Sequence, residues 1–329
     1  MGTPDFAVES LQALVERGYM VVGVVTMPDK PVGRHGNILQ PSAVKQYATA
    51  QGIPILQPEK LKDELFLTEL RAWQADLQIV VAFRMLPEIV WDMPRFGTFN
   101  LHASLLPQYR GAAPINWAII NGETETGVTT FFLTHGMDTG RIILQKRWPI
   151  DEADNAGDMH DALMLLGAKT VIETVDRLIE NEEIIDTIPQ EELFETMPLH
   201  PAPKIFNDTC RINWHQPLTY LYNYIRGLSP YPAAWTELIN PSGISTTIKI
   251  FSAETILHQH NLKIGTILTD ENKRLLSLQK TDSYSRQNLD IAVKDGFIRI
   301  LSLQLAGKKR MPVKDFLNGT NIHSGWMVH

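Results

Sequence analysis

Apolar positions along the first 180 residues follow two alternating patterns. Short continuous runs rich in β-branched residues, "YMVVGVVT" (19–26), "DLQIVVAF" (76–83), "GTFNLHAS" (97–104) and "GVTTFFLT" (127–134), read as strands buried on both faces. Between them, apolar residues recur at three- and four-residue intervals in "VESLQALVERG" (8–18) and "PSAVKQYATAQG" (41–52), each closing on a glycine in the helix-stop position. "AGDMHDALMLLGAKTVIETVDRLIEN" (156–181) predicts one long amphipathic helix or two in tandem. Strands alternating with helices predict an α/β domain: a Rossmann-like, doubly wound, mostly parallel sheet with helices on both faces.

The pattern then changes. Residues 182–204, "EEIIDTIPQEELFETMPLHPAPK", hold four prolines and little periodicity, which predicts a linker or extended crossover over 182–203. Beyond it, "RINWHQPLTYLYNYIRGLSPYPAAWTEL" predicts a short helix and a Pro-punctuated turn. The short runs "TTIKIFSAE", "KIGTIL" and "LDIAVKDGFIRILSLQLAG" then predict a small all-β barrel over 204–329. The first domain is therefore expected over 1–181. Its opening, "MGTPDFAVESL", leads straight into a turn and a helix, with Thr3 or Asp5 available as caps. A doubly wound domain would carry a strand before this turn, so the first strand is expected to be missing. A late start, a truncation or a fold that begins without it all fit.

Composition narrows the class. With 329 residues, 44% hydrophobic and 20% charged, the chain is long enough for two ordinary globular domains. No apolar stretch approaches the roughly 18 residues of a membrane span, and no signal peptide is evident. One cysteine, Cys210, excludes an internal disulfide and suits a reducing, cytoplasmic setting. The histidines lack metal-ligand spacing, so no metal is expected. The net charge of −7 conceals an asymmetry: residues 1–199 hold 15 Lys and Arg against 28 Asp and Glu, whereas 200–329 hold 15 against 9. A basic half on an acidic chain raises the question of a polyanionic partner, although a solvated surface is the plainer account of a single modest imbalance.

The chemistry concentrates near residue 100. Asn100 and His102 share one face if 97–103 is a strand, and they sit near its C-terminal end, where open α/β sheets hold ligands. The plain alternative is a pair that satisfy one another or a loop carbonyl. Against it stand the following loop, with Pro107, Tyr109, Arg110 and Gly111, and the turn "HGMDTG" after the next strand, which carries Asp138. If neighbouring strands bring these ends together, an amide, an imidazole and a carboxylate converge. That set suits acyl transfer to an amine: Asn100 donates to an oxyanion, His102 adds a donor or moves a proton, and Asp138 orients the imidazole or relays a proton. No GxSxG elbow is present, and Cys210 lies in the other half, so a covalent acyl-enzyme is not expected.

The segments "GTPDFA" (2–7), "NLHASLLPQYRGAAPINWAIINGETETGVT" (100–129), "MDTG" (137–140), "SPYPAAW" (229–235) and "LQLAGKKRM" (303–311), in this order, closely resemble the methionyl-tRNA formyltransferase family. Asn-x-His with the SLLPxYRG loop and the later Asp is similar to the wider group of folate-dependent formyltransferases. The resemblance implies a catalytic first domain, an OB-like tRNA-binding barrel, and transfer of formyl from 10-formyltetrahydrofolate to the α-amine of methionyl initiator tRNA. It implies Asn100, His102 and Asp138 as catalytic. Folate would meet Phe83, Arg84, Met85, Leu86, Ser104, Leu105, Pro107, His135 and Gly136. The tRNA would meet Lys30, Arg34, His35, Lys45, Arg110, Lys308, Lys309 and Arg310. The loop 28–45 corresponds to a basic insertion in relatives, with Gly36 and Asn37 where more cations would be expected. A monomer is expected.

The acceptor rests on other segments. The turn "GTPDFAVES" lacks the glycines of the phosphate loop in glycinamide ribonucleotide formyltransferases. Sugar-nucleotide N-formyltransferases are nearer, since some carry a C-terminal barrel. The GTPDF turn, the cluster "GKKR" (307–310) followed by Lys314, and the basic second half favour RNA. A non-catalytic folate- or RNA-binding relative would have lost one of Asn100, His102 or Asp138, and all three are present.

Overall fold

The computed structural model describes residues 1–32, 38–180, 186–196, 198–268 and 288–329. In the first 180 residues, helices α1 (Asp5–Glu16), α2 (Ala43–Ala50), α3 (Glu64–Ala72), α4 (Glu88–Trp91), α5 (Pro114–Ile120) and α6 (Ala156–Glu180) alternate with strands. The strands are β1 (Val24–Val25), β2 (Lys30–Val32), β3 (Ile38–Gln40), β4 (Ile55–Leu56), β5 (Gln78–Val81), β6 (Thr98–His102), β7 (Glu125–Phe132) and β8 (Ile142–Pro149). Residues 156–180 form one continuous helix, not two. Ser42 and Asp63 cap α2 and α3 through their side chains. Neither Thr3 nor Asp5 caps α1: Pro4 holds that position without a side-chain bond, and the Thr3 hydroxyl is buried without a partner.

The chain divides into two compact units: 1–114, 125–149 and 159–203 form one, and 115–124, 150–158 and 204–329 form the other. In the first, β1 pairs parallel with β4, and β5 parallel with β6, as alternating strands and helices require. The two pairs are tied through the chain's first residues. Gly2 donates to Val25 O and bridges parallel to Val81, so residues 1–2 occupy the row where the missing first strand was expected. β7 and β8 then join antiparallel, giving the order β5-β6-β7-β8. Val25, Leu67, Leu70, Val80, Leu86 and Val90 pack on one side of this sheet, and an added Cβ on Gly167 of α6 would stand 2.7 Å from Leu101 on β6.

In the second unit, α7 (Leu218–Gly227) packs with α5, whose Asn116 amide donates to Gly227 O at 2.7 Å. Strands β9 (Ala234–Ile239), β10 (Ser245–Leu257), β11 (Leu289–Val293), β12 (Gly296–Leu305), β13 (Met311–Pro312) and β14 (Met327–Val328), with α8 (Val313–Gly319), complete it. The antiparallel order is β11-β12-β10-β9-β14, with β13 against β12. Thr266 and Ile267 bridge to Met327 and Ile291, so the run expected as a strand over 263–268 closes the edges into a barrel. Ile250, Ile291, Ile298, Ile300 and Leu303 fill it. Asp290 and Arg299 face one another across β11 and β12 as a buried pair at 2.8 Å.

Candidate active site

Strand alternation sends Phe99 and Leu101 to the side covered by α6 and Asn100 and His102 to the other. His102 is 7% exposed, and its Nε2 lies 2.8 Å from Tyr109 O. A carbonyl only accepts, so Nε2 carries the proton and donates. Proton exchange is left to Nδ1, which faces Asp138 Oδ2 at 3.9 Å. The loop-carbonyl alternative is thus half realised: one ring nitrogen is held by the loop, and the other is directed at a carboxylate. Asn100 is half-buried between Val80 of β5 and Phe131 of β7. Its side chain makes no hydrogen bond to the described residues.

Asp138 reaches this point by a different route from the one expected. Because β7 runs antiparallel to β6, Phe132 lies beside Phe99, at the far end from His102. The loop 133–141 returns the chain, and its Asp138 adopts φ +54. The carboxylate also accepts from Gly111 N at 3.0 Å, so one anion meets both the imidazole and the loop after β6.

That loop is fastened along its length. Thr129 Oγ1, on β7 opposite His102, donates to Ser104 O at 2.6 Å and accepts from Leu106 N and Gln145 Nε2. Gln145 Nε2 also donates to Leu106 O, and Ser104 Oγ to Gln108 O. From outside, residues 198–203 lie across it: Tyr109 N donates to His200 O, Ala202 N to Arg110 O, and Ala113 N to Ala202 O. Gly111 is required here, since at φ +127 an added Cβ would stand 2.3 Å from Ala202 O. Residues 198–203 of the Pro-punctuated stretch therefore lie bonded within the first unit.

The structure disperses the remaining candidates. Leu86, Ser104 and Pro107 are buried, and the Ser104 hydroxyl is engaged as above. Phe83 and Leu105 are half-buried. Arg84 donates to Pro58 O and Glu59 O, and burial pulls its guanidinium below the ordinary value. Met85, His135 and Gly136 are exposed; His135 pairs with Glu88 at 3.5 Å and meets the Trp91 ring edge-on. Arg110 faces inward, bonded to Gln190 Oε1, with burial lowering its pKa against the opposing charges of Glu191 and Asp138. Lys30 is exposed, whereas Lys45 is paired with Asp29 at 2.7 Å. Arg34 and His35 lie outside the described residues. In the second unit, Lys308 and Lys309 are exposed, while Arg310 stacks on Phe251 at 4.7 Å and donates to Ser302 Oγ. Thr129, Gln145, Gln190 and His200 escaped sequence reasoning: Thr129 was visible only as a polar residue in an apolar run, and the others carry no local signal.

Among the described residues, no helix is long and apolar enough to cross a membrane, and no group of three or more His, Cys, Asp or Glu is placed to hold a metal ion.

A family model described as formyl transferase matches residues 1–175, and one described as formyl transferase, C-terminal domain, matches residues 204–321. A methionyl-tRNA formyltransferase of Parabacteroides distasonis is 65% identical over 97% of this chain and 94% of its own length. One of Bacteroides thetaiotaomicron is 57% identical over 100% and 97%. Among solved structures, the sugar 3N-formyl transferase WlaRD, determined in the presence of dTDP and 5-N-formyl-THF, matches with TM-score 0.61 at 22% identity, covering 94% of this chain and 97% of that one. At that identity the likeness is one of fold.

Proposed function

The chain belongs to the methionyl-tRNA formyltransferase family, and on that premise we propose how its residues perform the reaction. It transfers the formyl group of 10-formyltetrahydrofolate to the α-amine of methionyl initiator tRNA. The amine forms a C–N bond to the formyl carbon, the bond from that carbon to N10 of folate breaks, and one proton passes from the amine to N10. Asn100 donates its amide N–H to the formyl oxygen as negative charge develops there; one such donor contributes about 10²–10³ in rate. His102 exchanges the travelling proton at Nδ1, because Nε2 is held by Tyr109 O. Asp138 Oδ2, 3.9 Å away, faces that nitrogen and holds an anion beside it while the proton is in transit.

One observation carries this reading: an amide with no hydrogen bond to the described residues stands two positions from an imidazole whose available nitrogen faces a carboxylate. The exposed side chains of Met85 and His135, with half-buried Phe83, offer the contact for folate. The first unit, with residues 198–203 bonded into it, acts as the catalytic domain, and the barrel of the second binds tRNA, with Lys308 and Lys309 against phosphates. The protein works as a monomer in the cytoplasm; light scattering at the mass of one chain checks the first point.

The decisive experiment supplies 10-formyltetrahydrofolate together with methionyl initiator tRNA or an amino-sugar nucleotide. Formylation of the tRNA alone is expected, and formylation of the sugar alone overturns the assignment. Asp138→Asn and His102→Ala should each lower kcat by about 10²-fold or more while leaving the fold intact. Near-normal turnover in either removes the proposed site.

A further inference from the structure

Gln190 is fully buried, and all four hydrogen-bonding positions of its amide are used. Its Oε1 accepts from Arg110 Nε at 3.0 Å and Nη2 at 2.6 Å. Its Nε2 donates to Asp138 O at 3.0 Å and Gly140 O at 2.7 Å. The orientation is unambiguous, because a guanidinium only donates and a carbonyl only accepts. One side chain thus joins the loop after β6 to the loop after β7, and the second loop holds Asp138 in a left-handed conformation that side chains rarely adopt. Gln190 is delivered there by the residues before it. Ile188 exchanges two backbone bonds with Ile142, and Arg141 grips the Thr187 hydroxyl and carbonyl at 2.6 Å each.

From this geometry we infer that Gln190 is a positioning residue for formyl transfer, fixing the backbone of Asp138 and through it the separation between carboxylate and imidazole. The chemistry selects glutamine. A glutamate would keep Arg110 but turn an anionic oxygen toward the two carbonyls, and a methionine would fill the space without satisfying any of the four groups. The charged groups around the pair are Asp138 after β7, Arg110 after β6 and Glu191 beside Gln190. Glutamate at 190 therefore retains one half of the contact and abolishes the half that acts on Asp138.

This inference rests on His102 and Asp138 as the reacting pair, so the test includes Asp138→Asn as a control. Gln190→Glu and Gln190→Met are assayed for kcat and KM, and Gln190→Glu is also combined with Asp138→Asn. Both variants should lose about 10-fold or more in kcat and keep KM for folate and tRNA within about twofold, and Gln190→Glu added to Asp138→Asn should lower kcat by less than about twofold further, since the glutamine acts through Asp138. A Gln190→Glu loss in kcat that is equally large in the Asp138→Asn background overturns the positioning role, as does wild-type kcat or a rise in KM that matches the loss in kcat. If Gln190→Met fails to fold, the Gln190→Glu protein decides alone. Wild-type turnover by Asp138→Asn would sink the active-site reading instead.

Discussion

Replacing Asn100 by alanine separates chemistry from stability more cleanly than any other change at the site. Its amide makes no hydrogen bond to the described residues, so truncation leaves no protein group newly without a partner. The remaining loss is part of a half-buried side chain between β5 and β7, below about 1 kcal/mol of stability. The kinetic loss should be far larger. An oxyanion donor acts only as negative charge appears, and removing one costs about 10²–10³ in kcat, or roughly 2.7–4 kcal/mol. Because the bond is made in the transition state, KM for both substrates should stay within about twofold. Steady-state formylation at saturating folate and tRNA, with a thermal melt of the same preparation, measures both quantities. Asn100→Asp should be no more active than the alanine variant, since it presents an acceptor where a donor is needed. A kcat within about threefold of wild type would refute the oxyanion role, as would a kcat loss accompanied by a comparable loss of stability.

Two further outcomes are expected. Thr129→Val keeps the shape but strips the partner from Ser104 O and Leu106 N, and one of the two from Gln145 Nε2; at about 1–3 kcal/mol for a buried polar group left unmet, calorimetry should find a lower thermal midpoint, with kcat falling as the loop loosens. Lys308→Glu with Lys309→Glu should raise KM for tRNA and flatten its salt dependence by about one log unit per lysine that meets a phosphate, leaving folate affinity unchanged.

The sequence reveals those parts of the site whose physics is local. The spacing of Asn100 and His102 places both on one strand face, because strand side chains alternate, and glycines at 18 and 52 end the helices where periodicity stops. The barrel is legible from its short runs, including the one over 263–268 that closes it. What stays hidden depends on contacts distant in sequence. The antiparallel turn of β7 cannot be read from an apolar run that suits either direction, so the route to Asp138 differs from expectation. Residues 187–190 and 198–202 have no periodicity because their partners are loops 46 to 92 residues away. Arg110 and Lys45 look like free surface cations in sequence, and each is engaged by an opposite or polar group that only the fold supplies.

The fastening of residues 187–190 and 198–203 also decides where the chain can be divided. The first family match ends at residue 175, and α6 ends at Glu180, so either point invites truncation. A fragment cut there would retain β1 through β8 and yet lose Gln190, His200 and Ala202, which hold the loops at 108–113 and 138–140. A fragment carried to Pro203 keeps every one of those bonds. The first family match therefore stops short of the residues that hold these loops, by about one extended segment.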